Sequence, residues 1–319
     1  MMGQDNLRIA IIGALGFVVL QITIAFYGIG SVVATFSGPW FIGVVMFYVA
    51  YLGIRRSRIL YSPIYRRQAR GIAFVSVGAS IVFFTGAMNG AVVLGNPLFV
   101  LIQGEIPWVW LLILFYWVDV SARAGKRSDP IARDTFHWQS IRLPLWAANA
   151  GAVVIGSIIE GYFFATGNIT GITGPPPSTS TVVFILIAIM VNLPQVLTLG
   201  AGLILLPIVA RRAKDGVLRR HLVWFGVFAL VFVLSTVTFA LKAAFLPSNA
   251  AFCPYGYVEL AGKCVLATIP SSVLQVEIVS ESVVYGMYLL AAICLSQSVR
   301  SLVPLTEIEP SEGGEFVPA

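Results

Sequence analysis

A chain of 319 residues in which 58% are hydrophobic and 11% charged lies far below the roughly 25% charged content of soluble domains. Together with a mean hydropathy of +0.90, that composition excludes a soluble globular fold. The net charge of +6 does not point to nucleic acid, because the Lys and Arg residues flank apolar stretches, where anionic headgroups and the insertion machinery account for them.

Eight segments are long and apolar enough to cross about 30 Å of hydrocarbon, near residues 7–28, 33–54, 71–94, 98–121, 142–166, 181–210, 219–246 and 272–302. This predicts an all-α integral membrane protein of about eight transmembrane helices arranged as serial hairpins. Residues 1–304 form the transmembrane domain, and 305–319 a short flexible tail. The first stretch lacks a small-residue cleavage site leading into a soluble domain, so it is expected to be a retained helix. With an even number of spans, the basic connections 55–70, 122–141 and 211–218 put both termini in the cytoplasm, and only Lys242 and Lys263 of the 20 basic residues fall outside. The expected location is a cell membrane, and short loops without a transit peptide suit a prokaryotic one.

Three basic segments share a pattern: Ser62-Pro63-Ile64-Tyr65-Arg66-Arg67, Asp129-Pro130-Ile131-Ala132-Arg133-Asp134 and Asp215-Gly216-Val217-Leu218-Arg219-Arg220. Ser or Asp suits the helix cap and Pro the first helical position, while arginines reach lipid phosphates. Arg66, Arg67, Arg133, Arg219 and Arg220 are therefore expected phosphate anchors. Asp5-Asn6-Leu7-Arg8 extends the pattern to four repeated hairpins; alternatively, every helix entering from the cytoplasm needs the same cap and anchors. Trp138 and Trp224 follow two of the copies at matching positions, as aromatic-belt residues would.

On the opposite face, residues 167–181 are Pro-, Ser- and Thr-rich and contain the glycosylation sequon Asn168-Ile169-Thr170. The external loop 247–271 holds Cys253 and Cys264, which in an oxidising compartment are expected to form a disulfide. Cys294 lies within the last span and is expected to be a small packing residue.

Tyr65-Arg66-Arg67-Gln68-Ala69-Arg70 and Leu218-Arg219-Arg220-His221-Leu222-Val223-Trp224 resemble the cytoplasmic loops of the multi-helix membrane sensor regions that precede prokaryotic histidine kinases. The resemblance is confined to these two segments. It implies a sensor whose signal passes to a separate partner, since this chain carries no kinase portion.

The residues that bear chemistry are few. His137 and His221 are the two histidines, both expected at the membrane interface as ordinary polar residues and not as a haem pair. No cluster has metal-ligand spacing, and phosphate-cradling, nucleophile-elbow and zinc-protease signatures are missing. The expectation is no catalysis, no cofactor and no metal. Ionisable residues in the membrane are costly and mark candidate sites. Glu105 sits in Gln103-Gly104-Glu105-Ile106-Pro107, either at a helix break or in an external loop. Glu160 lies about 27 Å along its helix; Lys242 is comparably far along the next-but-one, and Glu277 and Glu281 are one turn apart. They form either an outward-facing polar vestibule or unrelated interfacial charges. Asn192 and Gln195 flank Pro194 in the sixth span, where a kink would free polar groups for a ligand. Asn89 and Asn149 are further intramembrane polar residues.

The function expected from these features is a non-catalytic, receptor-like or scaffolding subunit with an outward-facing polar vestibule, which sits in the bilayer and works with other membrane or external protein subunits. One alternative is the anchor or quinone-interacting subunit of a respiratory complex; another is a small-solute transporter. A membrane enzyme using Glu105 and Glu160 for proton transfer is the least supported class.

Overall fold

The structure is a computed structural model that describes residues 4–26, 31–92, 110, 112, 113, 116, 117, 119–121, 138–165, 206–211, 213, 215–245, 257–260, 263–266 and 271–302. Six long helices dominate it: α1 (Gln4–Phe26), α2 (Ser31–Ile59), α3 (Pro63–Val92), α4 (Trp138–Ala165), α5 (Gly216–Phe245) and α6 (Ser271–Arg300). The described positions of 110–121 are helical as well, and so is 206–211. Among the described residues five helical stretches are long and apolar enough to cross a membrane: Arg8–Phe26, Ser37–Ile59, Ser140–Ile158, Gly216–Ser235 and Ile278–Arg300. They mark the chain as membrane-embedded. The departure from an all-α fold among the described residues is a short antiparallel hairpin, β1 (Tyr257–Leu260) and β2 (Lys263–Leu266), with Glu259 opposite Cys264.

The expected loop 55–70 is mostly helix. α2 continues to Ile59 and α3 begins at Pro63, leaving residues 60–62 as the connection. Hydropathy marks where hydrocarbon ends, but a helix does not have to stop there. Its backbone bonds persist through the arginine-bearing turns, as in Leu60 N to Arg56 O at 3.1 Å and Arg66 N to Ser62 O at 2.9 Å. Pro63 takes the first helical position as its fixed φ favours. α5 likewise starts at Gly216, because the Asp215 carboxylate accepts from the backbone N–H of Val217 at 2.8 Å and of Leu218 at 3.4 Å.

α2 packs along α3, α5 along α6, and α6 also lies against α1 and α2. The last helix is therefore central: 56% of its membrane stretch is buried, against 17% for α4. Lipid is as apolar as Leu, so small residues and hydrogen bonds decide which helices touch. Ser80 Oγ donates to the Gly43 carbonyl at 2.8 Å across the α2–α3 contact. Aromatic rings fill the interior, with Phe232 5.0 Å from Trp110 and 5.3 Å from Tyr288, and Phe225 5.6 Å from Trp117. Trp224 is buried in this core and is not a belt residue, because α5 is covered over a broad arc that also takes in Leu218, Leu222, Phe225 and Phe228. Cys294 is fully buried among the same apolar side chains.

Candidate functional site

The start of α3, the end of 110–121, the start of α5 and the end of α6 converge at one end of the bundle, the end that carries the arginines. Gln68, Ser121, His221 and Ser298 meet there, none more than 1% exposed. His221 Nδ1 is 3.0 Å from the Ser298 carbonyl and 3.0 Å from Ser298 Oγ, and Nε2 is 3.3 Å from Gln68 Oε1. Ser121 Oγ donates to Gln68 Oε1 at 3.3 Å, and Ser298 Oγ donates to the His221 carbonyl at 3.0 Å. His221 is enclosed by protein at this basic end, because it shares the buried face of α5 with Leu218, Leu222 and Phe225.

A neutral imidazole has one N–H, so Nδ1 and Nε2 cannot both donate. With the proton on Nε2, Gln68 accepts through its carbonyl and its NH2 group is left over. With the proton on Nδ1, donated to the Ser298 carbonyl, the Gln68 amide must turn its NH2 to Nε2 and its carbonyl is left over. In either arrangement one end of the Gln68 amide has no partner in this network.

The wall beside Gln68 is built by tryptophans over glycines. Trp117 packs onto Gly71 and Trp110 onto Gly78, seven residues apart on each helix and in opposite directions, so α3 and 110–121 run antiparallel. Trp110 Nε1 donates to the Val75 carbonyl at 2.9 Å. A cleft of about 450 Å³ opens at the basic end, lined by Arg66, Arg67, Gln68, Arg70, Tyr116 and Trp117. A second hollow, about 280 Å³ and almost wholly apolar, adds Leu112, Ile113 and Trp146. The buried Gln68 Nε2 and Trp117 Nε1, both in residues lining the cleft, have no hydrogen-bond partner among the described residues.

Of the expected phosphate anchors, Arg66 and Arg67 line this cleft and are exposed, with Arg66 Nη2 donating to the Tyr61 carbonyl at 3.3 Å. Arg219 and Arg220 are exposed on α5 outside it. Tyr65, just before the cleft, donates its hydroxyl to the Asp215 carboxylate. Burial and that neighbouring carboxylate hold the phenol well above its ordinary pKa of 10.0. Asp119, fully buried, pairs with Arg142 Nε at 2.8 Å and so ties 110–121 to α4. Asp119 and Gln68 are absent from the sequence-based candidates. The signal for Asp119 is a carboxylate inside the apolar run Tyr116-Trp117-Val118-Asp119, whereas Gln68 is masked by the arginines around it.

At the opposite end α1, α2 and α6 meet. Glu281 is 8% exposed and accepts from the Tyr285 hydroxyl at 2.9 Å, while Ser37 Oγ donates to Gln21 Oε1 at 3.1 Å. Glu160, Lys242 and Glu277 have their main chains in α4, α5 and α6, with side chains outside the described set. Glu105, Asn192, Gln195, Arg133, His137 and Cys253 lie outside the described residues, and Cys264 is placed by its backbone in β2. Asn149 Nδ2 donates to the Leu145 carbonyl of its own helix at 2.8 Å. Among the described residues no group of His, Cys, Asp and Glu has metal-binding geometry. No family model matches the chain, and no curated protein or solved structure matches it either.

Proposed function

We propose that this chain is a receptor-like or scaffolding protein of the cell membrane that takes up an anionic ligand at its arginine-bearing end. The observation that carries this reading is the cleft that Arg66, Arg67 and Arg70 line together with Gln68 and Trp117, two residues whose buried polar nitrogens lack partners among the described residues. A buried polar group without a hydrogen bond costs on the order of 1–3 kcal/mol, and a ligand acceptor would recover part of that cost. Gln68 also touches His221, so occupancy of the cleft would be felt at the α5–α6 contact, as a receptor requires. In this proposal eight spans are completed by the remaining apolar segments, both termini are cytoplasmic, the external loop is closed by a Cys253–Cys264 disulfide, and other protein subunits receive the signal.

The test is native mass spectrometry of gently purified protein. The proposal expects a bound anion or acidic lipid that is lost in Arg67→Ala/Arg70→Ala. A co-purifying haem or flavin subunit would favour the respiratory anchor, and solute uptake into proteoliposomes the transporter. A second reading, an outward-facing site including Glu105, Glu160, Lys242 and Glu277, draws support from Glu281, a membrane carboxylate beside Tyr285. Glu281→Gln separates the two: it should leave ligand retention at the arginine cleft unchanged.

A further inference from the structure

Resting on that reading, we infer that the ligand is an anionic amphiphile drawn from the bilayer itself, a phospholipid whose phosphate sits against Arg67 and Arg70 and whose chain lies along Phe74, Leu112 and Ile113. Gly71, Phe74, Tyr116 and Trp117 line both hollows, so the basic cleft and the apolar one adjoin. The chemistry changes along that path. Three guanidinium groups stand at one end, and no charged side chain lines the other. Among the described residues neither Arg67 nor Arg70 has a carboxylate partner, and both line the cleft. Guanidinium groups match phosphate oxygens two at a time, and the Trp117 indole offers a donor that only an acceptor can satisfy.

Depth points the same way. Arg66 to Arg70 immediately precede the apolar segment 71–94, where headgroups lie. From there Leu112 is four residues, about 6 Å of helix, beyond Tyr116 toward the hydrocarbon. A free anion would fill the cleft and leave the adjoining hollow empty, whereas a lipid occupies both. The hollow is walled by Phe74, Trp146 and the Trp117 ring that packs on Gly71, which distinguishes it from the open lipid-facing surface of α1 or α4.

The experiment is lipid retention measured by native mass spectrometry of the full chain, offered phosphatidylglycerol, phosphatidylcholine or soluble glycerol 3-phosphate. Retention of phosphatidylglycerol should exceed that of phosphatidylcholine by about tenfold and fall by a similar factor in Arg67→Ala/Arg70→Ala. The charge-matched control Arg55→Ala/Arg58→Ala, on α2 outside the cleft, should leave the preference intact. Ile113→Trp, which fills the apolar hollow, should weaken phosphatidylglycerol but not glycerol 3-phosphate. If glycerol 3-phosphate binds as tightly as phosphatidylglycerol, or Ile113→Trp changes nothing, the amphiphile inference is overturned while the anion receptor stands. If neither phosphatidylglycerol nor glycerol 3-phosphate binds better than the zwitterionic phosphatidylcholine, both fail.

Discussion

Gly71→Ala is the sharpest perturbation available, because the antiparallel contact that shapes the cleft rests on the absence of a side chain there. A Cβ at position 71 would collide with Cζ3 and Cε3 of Trp117, and even the third nearest ring carbon, Cδ2, would be 2.9 Å away, against an ordinary contact of 3.4 Å or more. The ring cannot give way freely, since Trp117 is 1% exposed and packs edge-on against Phe225 and His221. Overpacking of this kind costs about 3 kcal/mol, the upper end of its usual range. Replacing a helical Gly by Ala returns about 1 kcal/mol of propensity, leaving a net loss of about 2 kcal/mol. Gly151 on α4 provides the reference, as a Cβ there meets nothing within 4 Å. Gly151→Ala keeps the propensity gain without the clash, so the two variants should differ by about 3 kcal/mol in thermal unfolding in one detergent. Adding Trp117→Leu to Gly71→Ala should recover part of the loss, with a coupling of at least about 1 kcal/mol. Equal stability of the two alanine variants, within about 0.5 kcal/mol, would refute the tryptophan-over-glycine packing.

Asp119→Ala should destabilise by about 1–3 kcal/mol in the same assay, below the full value for a buried pair because Arg142 is 40% exposed. Its effect should be non-additive with Arg142→Ala. The raised pKa of Tyr65 means that the folded state holds its phenolic proton more tightly than the unfolded chain does. Its contribution is fully present below pH 10, the unfolded value, and is lost as pH climbs toward the higher folded value. Tyr65→Phe should therefore flatten the decline of stability above pH 10 seen in the wild type, and a decline of the same steepness in both would count against the Asp215 bond. Ser80→Ala, which removes the bond to the Gly43 carbonyl, should cost about 0.6 kcal/mol, the usual size for one hydrogen bond between membrane helices. A loss above about 2 kcal/mol would mean the contact does more than that single bond.

The arginine-bearing helix starts were legible because a cap, a proline and a charge act within one turn. Asp215 capping α5 and Pro63 opening α3 are local effects that need no partner. The burial of His221 and Trp224 was not legible, for the opposite reason. His221 directly follows Arg220 and Trp224 lies about one turn further on, where polarity marks an interface, yet the neighbours that cover them come from elsewhere in the chain. Gln68 and Ser298 are 230 residues apart and touch the same imidazole, a relation no window along the sequence contains.

The sequence alone determined that this chain belongs in a membrane, where its apolar segments lie and which end of the bundle holds the arginines. Those properties follow from composition summed over about 20 residues against the thickness of hydrocarbon. The tertiary structure decided which faces are inward. In lipid an apolar side chain gains little from facing protein over facing acyl chains, so hydropathy carries almost no information about helix orientation or partners. Close approach at Gly71 and Gly78, the Asp119–Arg142 pair and the amide of Gln68 supply that information, and they turn a run of basic residues into the rim of a cleft.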